Sequence, residues 1–214
     1  LVTSLAQFDI RHCRYTILMD AVDVHCVNNS TFGEKPPLKI KRDVSPKSRL
    51  QQKYSEFGLQ TIVEAILVVH LHGHLHVLLL QEGPSRFKLP GGRLKPNEDE
   101  VNGLKRKLVS KLSAVDTTAD SGIDWKIGPL VGSWWRPSFD EALYPYIPPH
   151  VTYPKEVRRI YFVPLQEKCA FAVPSNLKLL AVPLFDLYNN AAQYGHRLAC
   201  IPELISRISF NTCS

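Results

Sequence analysis

The feature that most constrains the fold is the stretch from Gly91 to Ser113, in which a glycine pair precedes a strongly patterned helix. The segment begins with acidic residues and ends with Lys and Arg, which is the order that a helix dipole favours. Gly103 costs this helix about 1 kcal/mol relative to alanine, so we predict that another group packs closely against it. The spacing predicts a loop and then a helix over about 97–112, with an apolar stripe formed by Val101, Leu104, Leu108 and Leu112.

The same segment resembles the Nudix box, the loop–helix signature of enzymes that hydrolyse nucleoside diphosphates linked to another moiety. Counted from Gly92, both Glu98 and Arg106 occupy the positions that the signature requires. The positions that carry carboxylates in a working enzyme are occupied here by Lys107, Ser110 and Lys111.

The charge at those positions decides what they can bind. Their spacing of three and four residues places them on one face of a helix. In Nudix enzymes the carboxylates there hold magnesium, a hard cation that requires oxygen ligands. At about 4 Å and an effective dielectric near 20, each pair of unit charges interacts by about 4 kcal/mol. Two lysines would repel a divalent ion and attract phosphate oxygens, so we predict no catalytic residue, no metal and no cofactor. The plainer alternative to a Nudix box is an ordinary helix whose charged residues match the helix dipole.

Composition favours a globular protein with anionic partners. The chain of 214 residues has a net charge of +6 and a pI near 9.1, a balance that favours polyanions. Its longest apolar run, near Ile62 to Leu80, is interrupted by Glu64 and four histidines, and we expect no membrane span. The five cysteines are scattered without a CxxC pair, which argues for a reducing compartment.

The order of elements predicts an α/β protein. The proline-spaced basic segment Glu34–Arg49 predicts an extended arm, so we divide the chain into an N-terminal extension (1–58) and a Nudix-like domain with C-terminal helices (59–214). Strands mixed with helices indicate a Nudix-type α/β/α sandwich with a mixed sheet. Strands are predicted at Tyr15–Met19, Ala21–Val27, Thr61–Val69, Val77–Gln81 and Arg158–Leu165. Helices are predicted at Arg49–Phe57, at Leu184–Asn190 introduced by Leu177–Leu180, and at Pro202–Ile208.

Four alternating histidines raise the question of a metal site. The residues are His70, His72, His74 and His76, and a period of two would place them on one face of a strand. Gly73 predicts a turn among them, which would scatter their side chains. We therefore favour no metal site, with metal binding as the alternative.

Several further segments resemble the family of small Nudix-like subunits of pre-mRNA cleavage factor I, from mRNA 3′-end processing. They include TFGEKPPL (31–38), FKLPGGRLKPNEDEVNGLKRKL (87–108), WWRPSFDEALYPYIPPHVTYPKE (134–156) and YGHRLACIPELISRISF (194–210). The resemblance spans about Thr31 to Phe210, and WWRP with YPYIPPH is its most specific part. It implies a Nudix fold without hydrolase activity that binds single-stranded RNA carrying UGUA. It also implies a homodimer, a larger partner subunit with an RNA-recognition domain, and a nuclear location.

The resemblance also implies which residues contact RNA: Arg49, Glu64, Ser85, Leu89, Tyr194 and Gly195. Arg49 would offer donors to a base edge, and Glu64 would accept from base amino and imino groups. Backbone groups near Ser85, Leu89 and Gly195 could read exposed base edges, and Tyr194 offers a ring and a hydroxyl. As an alternative, Glu64 is an ion-pair residue at the edge of the core.

The chain departs from the family pattern at two points. Arg86 stands where the family has a base-stacking Phe, so either Phe87 or the guanidinium plane of Arg86 takes over stacking, and both join the predicted site. An acidic residue of the family's arm aligns with Lys41 or Ile40, which cannot accept its hydrogen bonds.

Two other functions stay open: a divergent Nudix hydrolase of (di)nucleoside polyphosphates that uses Glu98, and a protein scaffold for the larger subunit.

Overall fold

A computed structural model of the chain describes residues 21–38, 45–113 and 123–212. The predicted strand at Tyr15–Met19 and the arm residues Ile40 and Lys41 lie outside the described residues. The strands are β1 (Val22–Val24), β2 (Thr31–Lys35), β3 (Gln60–Ile66), β4 (Val68–Leu71), β5 (His74–Glu82), β6 (Arg86–Lys88), β7 (Gly91–Arg93), β8 (Leu130–Arg136), β9 (Glu156–Phe162), β10 (Ala170–Pro174), β11 (Lys178–Pro183) and β12 (Phe210–Thr212). The helices are α1 (Pro46–Phe57), α2 (Glu100–Leu112), α3 (Leu184–Leu187), α4 (Ala191–Tyr194), α5 (His196–Ala199) and α6 (Ile201–Ile205).

Two sheets form the centre of the described structure. In the first, the order is β7-β3-β9-β8, with β3 parallel to β9 and the other neighbours antiparallel. In the second, β5 lies between β11 and β4 and also pairs with β6, all antiparallel. Two parallel pairs, β2 with β10 and β1 with β12, complete the strands. The mixed sheet and the α/β class that the sequence predicts are confirmed.

Two hydrophobic cores lie on opposite sides of these strands. One contains most of the apolar stripe predicted for α2, whose Leu104, Leu108 and Leu112 are buried with Val63 and Ala65 of β3. Val101, the fourth residue predicted for the stripe, is instead 39% exposed because it lies in the first turn and faces away from the core. The other core contains Ile66 and Phe162 of the strands together with the short C-terminal helices, which contribute Leu187, Leu198, Ile201 and Ile205. Strands between two helical layers form the predicted sandwich. None of the helices in the described ranges is long and apolar enough to cross a membrane.

The starts of two helices differ from the sequence prediction because of their capping residues. The prediction that Glu34–Arg49 is an unpacked arm is wrong at both ends, since Glu34 and Lys35 pair with β10 and α1 begins at Pro46. Ser45 accepts a hydrogen bond from the Ser48 amide at 3.1 Å, and a proline in the first turn favours this start. The box helix begins at Glu100 rather than at 97, because Asp99 caps it by accepting from the Asn102 amide at 3.1 Å.

Other differences arise from pairing between distant segments. The segment Leu177–Leu180 precedes the predicted helix but lies mostly in strand β11, because Lys178–Pro183 pairs along its length with β5. The helix that follows ends at Leu187, and the last predicted helix ends at Ile205. The predicted strand Thr61–Val69 is divided between β3 and β4. Pairing of β2 with β10 joins part of the predicted extension to the second half of the chain, and the boundary at residue 58 stays a prediction.

Two glycines allow the box to pack against the sheet. A Cβ atom on Gly103 would lie 2.1 Å from Leu94 Cδ2 and 3.1 Å from Glu98 Cδ, so the predicted close packing at Gly103 is confirmed. Gly91 has a φ of +148°, and a Cβ atom there would lie 2.1 Å from the Val63 carbonyl oxygen of β3. The box loop therefore lies against the central strand at a distance that only glycine permits.

We expect Gly91→Ala to destabilise the protein by more than about 3 kcal/mol, because backbone must move away from backbone. Gly73→Ala is the matched control: its φ is +79° but its Cβ would meet nothing within 4 Å, so its cost is about 1–2 kcal/mol. Urea unfolding of both variants measures the difference. Equal losses in the two variants would contradict this packing.

Candidate nucleic-acid interface

Glu98, the box carboxylate that the sequence retains, is engaged by protein groups. Its two oxygens accept from Arg106 Nε and Nη2, both at 2.6 Å, and Oε2 also accepts from the Lys95 amide at 2.8 Å. The hydrogen bonds from Arg106 and then from the Lys95 amide hold the pKa of Glu98 at about 2. This carboxylate therefore ties the box loop to its helix.

The substituted box positions present positive charge. Burial, and then the charge of nearby Lys88, lower the pKa of Lys111 to about 8 against the attraction of Glu64. Burial, followed by the charge of Arg106, likewise lowers the pKa of Lys107. Ser110 is exposed. Across residues 21–38, 45–113 and 123–212, no group of three or more His, Cys, Asp or Glu side chains is placed to hold a metal ion.

Two of the predicted RNA-contacting residues form an aromatic pair. The rings of Phe87 and Tyr194 have centroids 5.0 Å apart and planes inclined at 56°, and both side chains are half-buried. The Tyr194 hydroxyl donates to Asp186 Oδ2 at 2.5 Å. Burial and then this hydrogen bond raise the pKa of Tyr194 to about 12, so the phenol is neutral at physiological pH. The pair brings together β6 and α4, which are more than 100 residues apart in the chain.

The other residues predicted to contact RNA differ in how exposed they are. Ser85 and Arg86 are exposed at the turn between β5 and β6. Leu89 is 2% exposed, so only its backbone could face a ligand. Gly195 is exposed between α4 and α5, with a φ of +81°. Arg49 is half-buried in α1 and lies close enough to Arg93 to lower the pKa of that residue.

Glu64 lies in a buried ion-pair network. Its side chain is 5% exposed, and one oxygen accepts from Arg158 Nη1 at 3.2 Å while the other contacts Arg197 Nη1. The structure therefore has the core-edge ion pair that the sequence left as an alternative. Both oxygens of Glu64 are already bound by guanidiniums, and a role for Glu64 in RNA contact stays a prediction.

Sequence reasoning missed most of this network. Glu156 is 3% exposed and is contacted by Arg93 at 3.6 Å, by Arg136 at 3.4 Å and by Arg158 at 2.9 Å. The strand register explains the grouping, since Ile62 pairs with both Arg93 and Arg158, and Glu156 pairs with Arg136. A single sequence gives no register between distant strands, so only the polar residues inside an otherwise apolar strand pattern could have signalled it.

The histidines and cysteines show no ligand arrangement in the described structure. His72 and Gly73 have φ of 50° and 79° and form the turn between β4 and β5, as predicted from the glycine. His76 is buried and its Nδ1 lies 3.0 Å from the His74 carbonyl. Among the described cysteines, Cys26, Cys169 and Cys200 are free thiols.

The fold and the box together define a protein of the Nudix class. Residues 20–208 match the NUDIX_2 family model, described as a nucleotide hydrolase.

Three curated relatives place the chain more narrowly. Two come from Arabidopsis thaliana: pre-mRNA cleavage factor Im 25 kDa subunit 2 is 50% identical over 92% of this chain and 98% of its own length, and subunit 1 is 45% identical over 89% and 86%. Cleavage and polyadenylation specificity factor subunit 5 from Dictyostelium discoideum is 48% identical over 84% and 90%. The chain belongs to the family of these 25 kDa cleavage factor Im subunits.

We expect Lys111→Met to be more stable than the wild type at pH 7 and to lose that advantage towards pH 10. The pKa of Lys111 is about 8 in the folded protein, against an ordinary value of 10.5, so between these values the unfolded wild type binds more protons and its stability rises with pH. The advantage at pH 7 is at most on the order of 3 kcal/mol. Urea unfolding of both proteins from pH 7 to pH 10 measures it.

Comparison with the variant removes the contributions of other titrating groups. An advantage that is the same at both pH values, or none at pH 7, would contradict the burial of a charged Lys111.

Proposed function

We propose that this chain is a catalytically inactive, RNA-binding subunit of the mRNA 3′-end cleavage and polyadenylation machinery. It recognises short single-stranded elements of the UGUA type in pre-mRNA and acts in the nucleus. The observation that carries the proposal is the presence of lysines at the metal-ligand positions of the box, in a chain about half identical to cleavage factor Im subunits over nearly its whole length.

Electrostatics support the absence of hydrolysis. A magnesium ion at the box would meet the ammonium groups of Lys107 and Lys111, and Glu98 is already bound on both oxygens by Arg106. Each lysine costs a nearby cation several kcal/mol at effective dielectrics typical of protein surfaces. The same two charges stabilise phosphate groups, as expected for a surface that binds nucleic acid without cleaving it.

The aromatic pair supports single-strand recognition. Unpaired RNA bases bind proteins by stacking on aromatic rings and by hydrogen bonds to their exposed edges. Phe87 and Tyr194 offer ring faces and edges, while Arg86 and Ser85 lie exposed beside Phe87. We therefore propose that Phe87 performs the stacking that the family assigns to the position of Arg86, while Arg86 adds a cation that can bind phosphate or a base plane.

The names of the relatives support an assembly. Each is a subunit of a cleavage or polyadenylation factor, so we propose that this chain forms a homodimer and binds a larger cleavage factor subunit that carries an RNA-recognition domain. Two linked RNA sites would raise affinity through a high local concentration of the second site.

We expect Phe87→Ala and Tyr194→Ala each to weaken binding of a short UGUA-containing RNA roughly tenfold or more, because a base–aromatic stack contributes about 1–3 kcal/mol. Tyr188→Ala is the matched control, since that side chain is 60% exposed and lies outside the proposed site. Fluorescence anisotropy measures all three. Wild-type affinity in both site variants, with binding of the larger subunit intact, would instead support a pure scaffold.

We expect no sustained magnesium-dependent hydrolysis of diadenosine polyphosphates by the purified chain, because the box repels the metal. Chromatography of the reaction products after prolonged incubation checks this. Turnover that disappears in Glu98→Gln would overturn the proposal in favour of a divergent hydrolase.

A further inference from the structure

Positive charge exceeds negative charge in the buried network behind Glu64. Four guanidiniums, which we call the arginine cluster, belong to Arg93, Arg136, Arg158 and Arg197. Within the described residues, the carboxylates that form salt bridges with them are Glu64 and Glu156. The cluster therefore has a formal excess of two positive charges in a region of low solvent exposure, where unbalanced charge is costly.

Two details show that the cluster is short of acceptors. The Nε atoms of Arg93 and Arg136 are buried and have no hydrogen-bond partner among the described residues. Burial lowers the pKa of Arg93, and the charges of Arg158 and Arg49 lower it further against the attraction of Glu156. An additional anion beside Arg136 would reduce the repulsion within the cluster and could accept the hydrogen bond that Arg136 Nε lacks.

A cavity of about 440 Å³ opens onto this cluster. It is lined by Arg136, Arg158 and Arg197 together with Ser45 and Pro46 at the start of α1. This volume lies within the range of small-molecule sites. The 12-residue helix α1 directs the positive end of its dipole towards the cavity.

The rim of the cavity carries one net negative charge. Lys47 and Asp140 both line the cavity and pair with each other at 3.1 Å, while Glu141 is exposed there and weakens the positive field. The attraction for an anion therefore comes from the arginines of the floor.

The cavity adjoins the residues proposed to read bases. Arg49 lies one helical turn beyond Ser45 and Pro46, and Arg197 is two residues beyond Gly195 and contacts Glu64. Because Tyr194, Gly195 and Arg197 are close in the chain, we infer that an RNA whose bases face the Phe87–Tyr194 pair continues its backbone past Gly195 towards the cavity. Guanidiniums are well suited to phosphate because their donors match two of its oxygens at once.

We propose that this cavity is a phosphate-binding site, held by Arg136, Arg158 and Arg197, that binds a backbone phosphate of the RNA next to the bases that are read. The inference rests on the proposed RNA-binding function and adds a sequence-independent anchor to it. A phosphate at this point positions the strand, and the base contacts select its sequence.

The test compares Arg197→Gln with the exposed Arg207→Gln, which does not line the cavity. For UGUA-containing and scrambled RNA alike, we expect Arg197→Gln to weaken binding by a similar factor of roughly five to ten. We also expect the slope of log affinity against log salt to fall by about one. Arg207→Gln should leave both quantities unchanged. Lys47→Glu changes an exposed residue of the rim. It should weaken binding of both RNAs in the same way without disturbing the buried network.

RNAs that carry a single neutral methylphosphonate linkage identify the source of the phosphate. One linkage should weaken binding to the wild type and have no effect on Arg197→Gln. Wild-type affinity and salt slope in both Arg197→Gln and Lys47→Glu would overturn the proposal. A loss of affinity confined to UGUA RNA would also overturn it. So would thermal stabilisation by inorganic phosphate that depends on Arg197, if no methylphosphonate linkage changes RNA binding in a way that depends on Arg197.

Failure of the wild type to bind either RNA would instead overturn the proposed function itself. Stabilisation by inorganic phosphate that is lost in Arg197→Gln would then show a site for free phosphate alone, which also overturns the RNA anchor.

Discussion

The position of β3 between β7 and β9 is the constraint on which the rest of the structure depends. Alternate residues of this strand face two different layers, so Val63 and Ala65 pack with the box helix while Glu64 faces the arginines. The close approach of Gly91 to the Val63 carbonyl holds the box loop against the same strand. The box and the charged network are therefore fixed relative to each other by one buried strand, and neither can shift without disturbing the other.

The box helix and the arginine cluster both carry an excess of positive charge. Lys111 lies near Lys88 and is buried enough for its pKa to fall to about 8. The arginine cluster contains four guanidiniums, and two carboxylates form salt bridges with them. We propose that a Nudix scaffold with this charge favours phosphate over a divalent cation. In the proposed function, the aromatic pair of Phe87 and Tyr194 complements these charges with a surface for bases, since charge alone carries no sequence information.

The sequence predicted what depends on local spacing. The box helix, three of the four residues of its apolar stripe and the close packing at Gly103 follow from the 3.6-residue period and from glycine's missing Cβ, and the structure has them, whereas Val101 of the predicted stripe is exposed. The strand Lys178–Pro183 and the partners of Glu64 could not be predicted, because each depends on a segment roughly 100 residues away in the chain. Glu64 illustrates the limit: its strand was evident from the sequence, but the two guanidiniums that occupy it were not.

The central claim is that this chain reads the bases of single-stranded RNA. The most direct test measures binding of a short UGUA-containing RNA and a scrambled RNA to the purified wild type, by anisotropy at two salt concentrations. The account predicts a preference for UGUA of about tenfold or more, equivalent to about 1.4 kcal/mol, which persists when salt weakens both complexes. Equal affinities that fall steeply and together with salt would contradict it, because they would show a basic surface without base recognition.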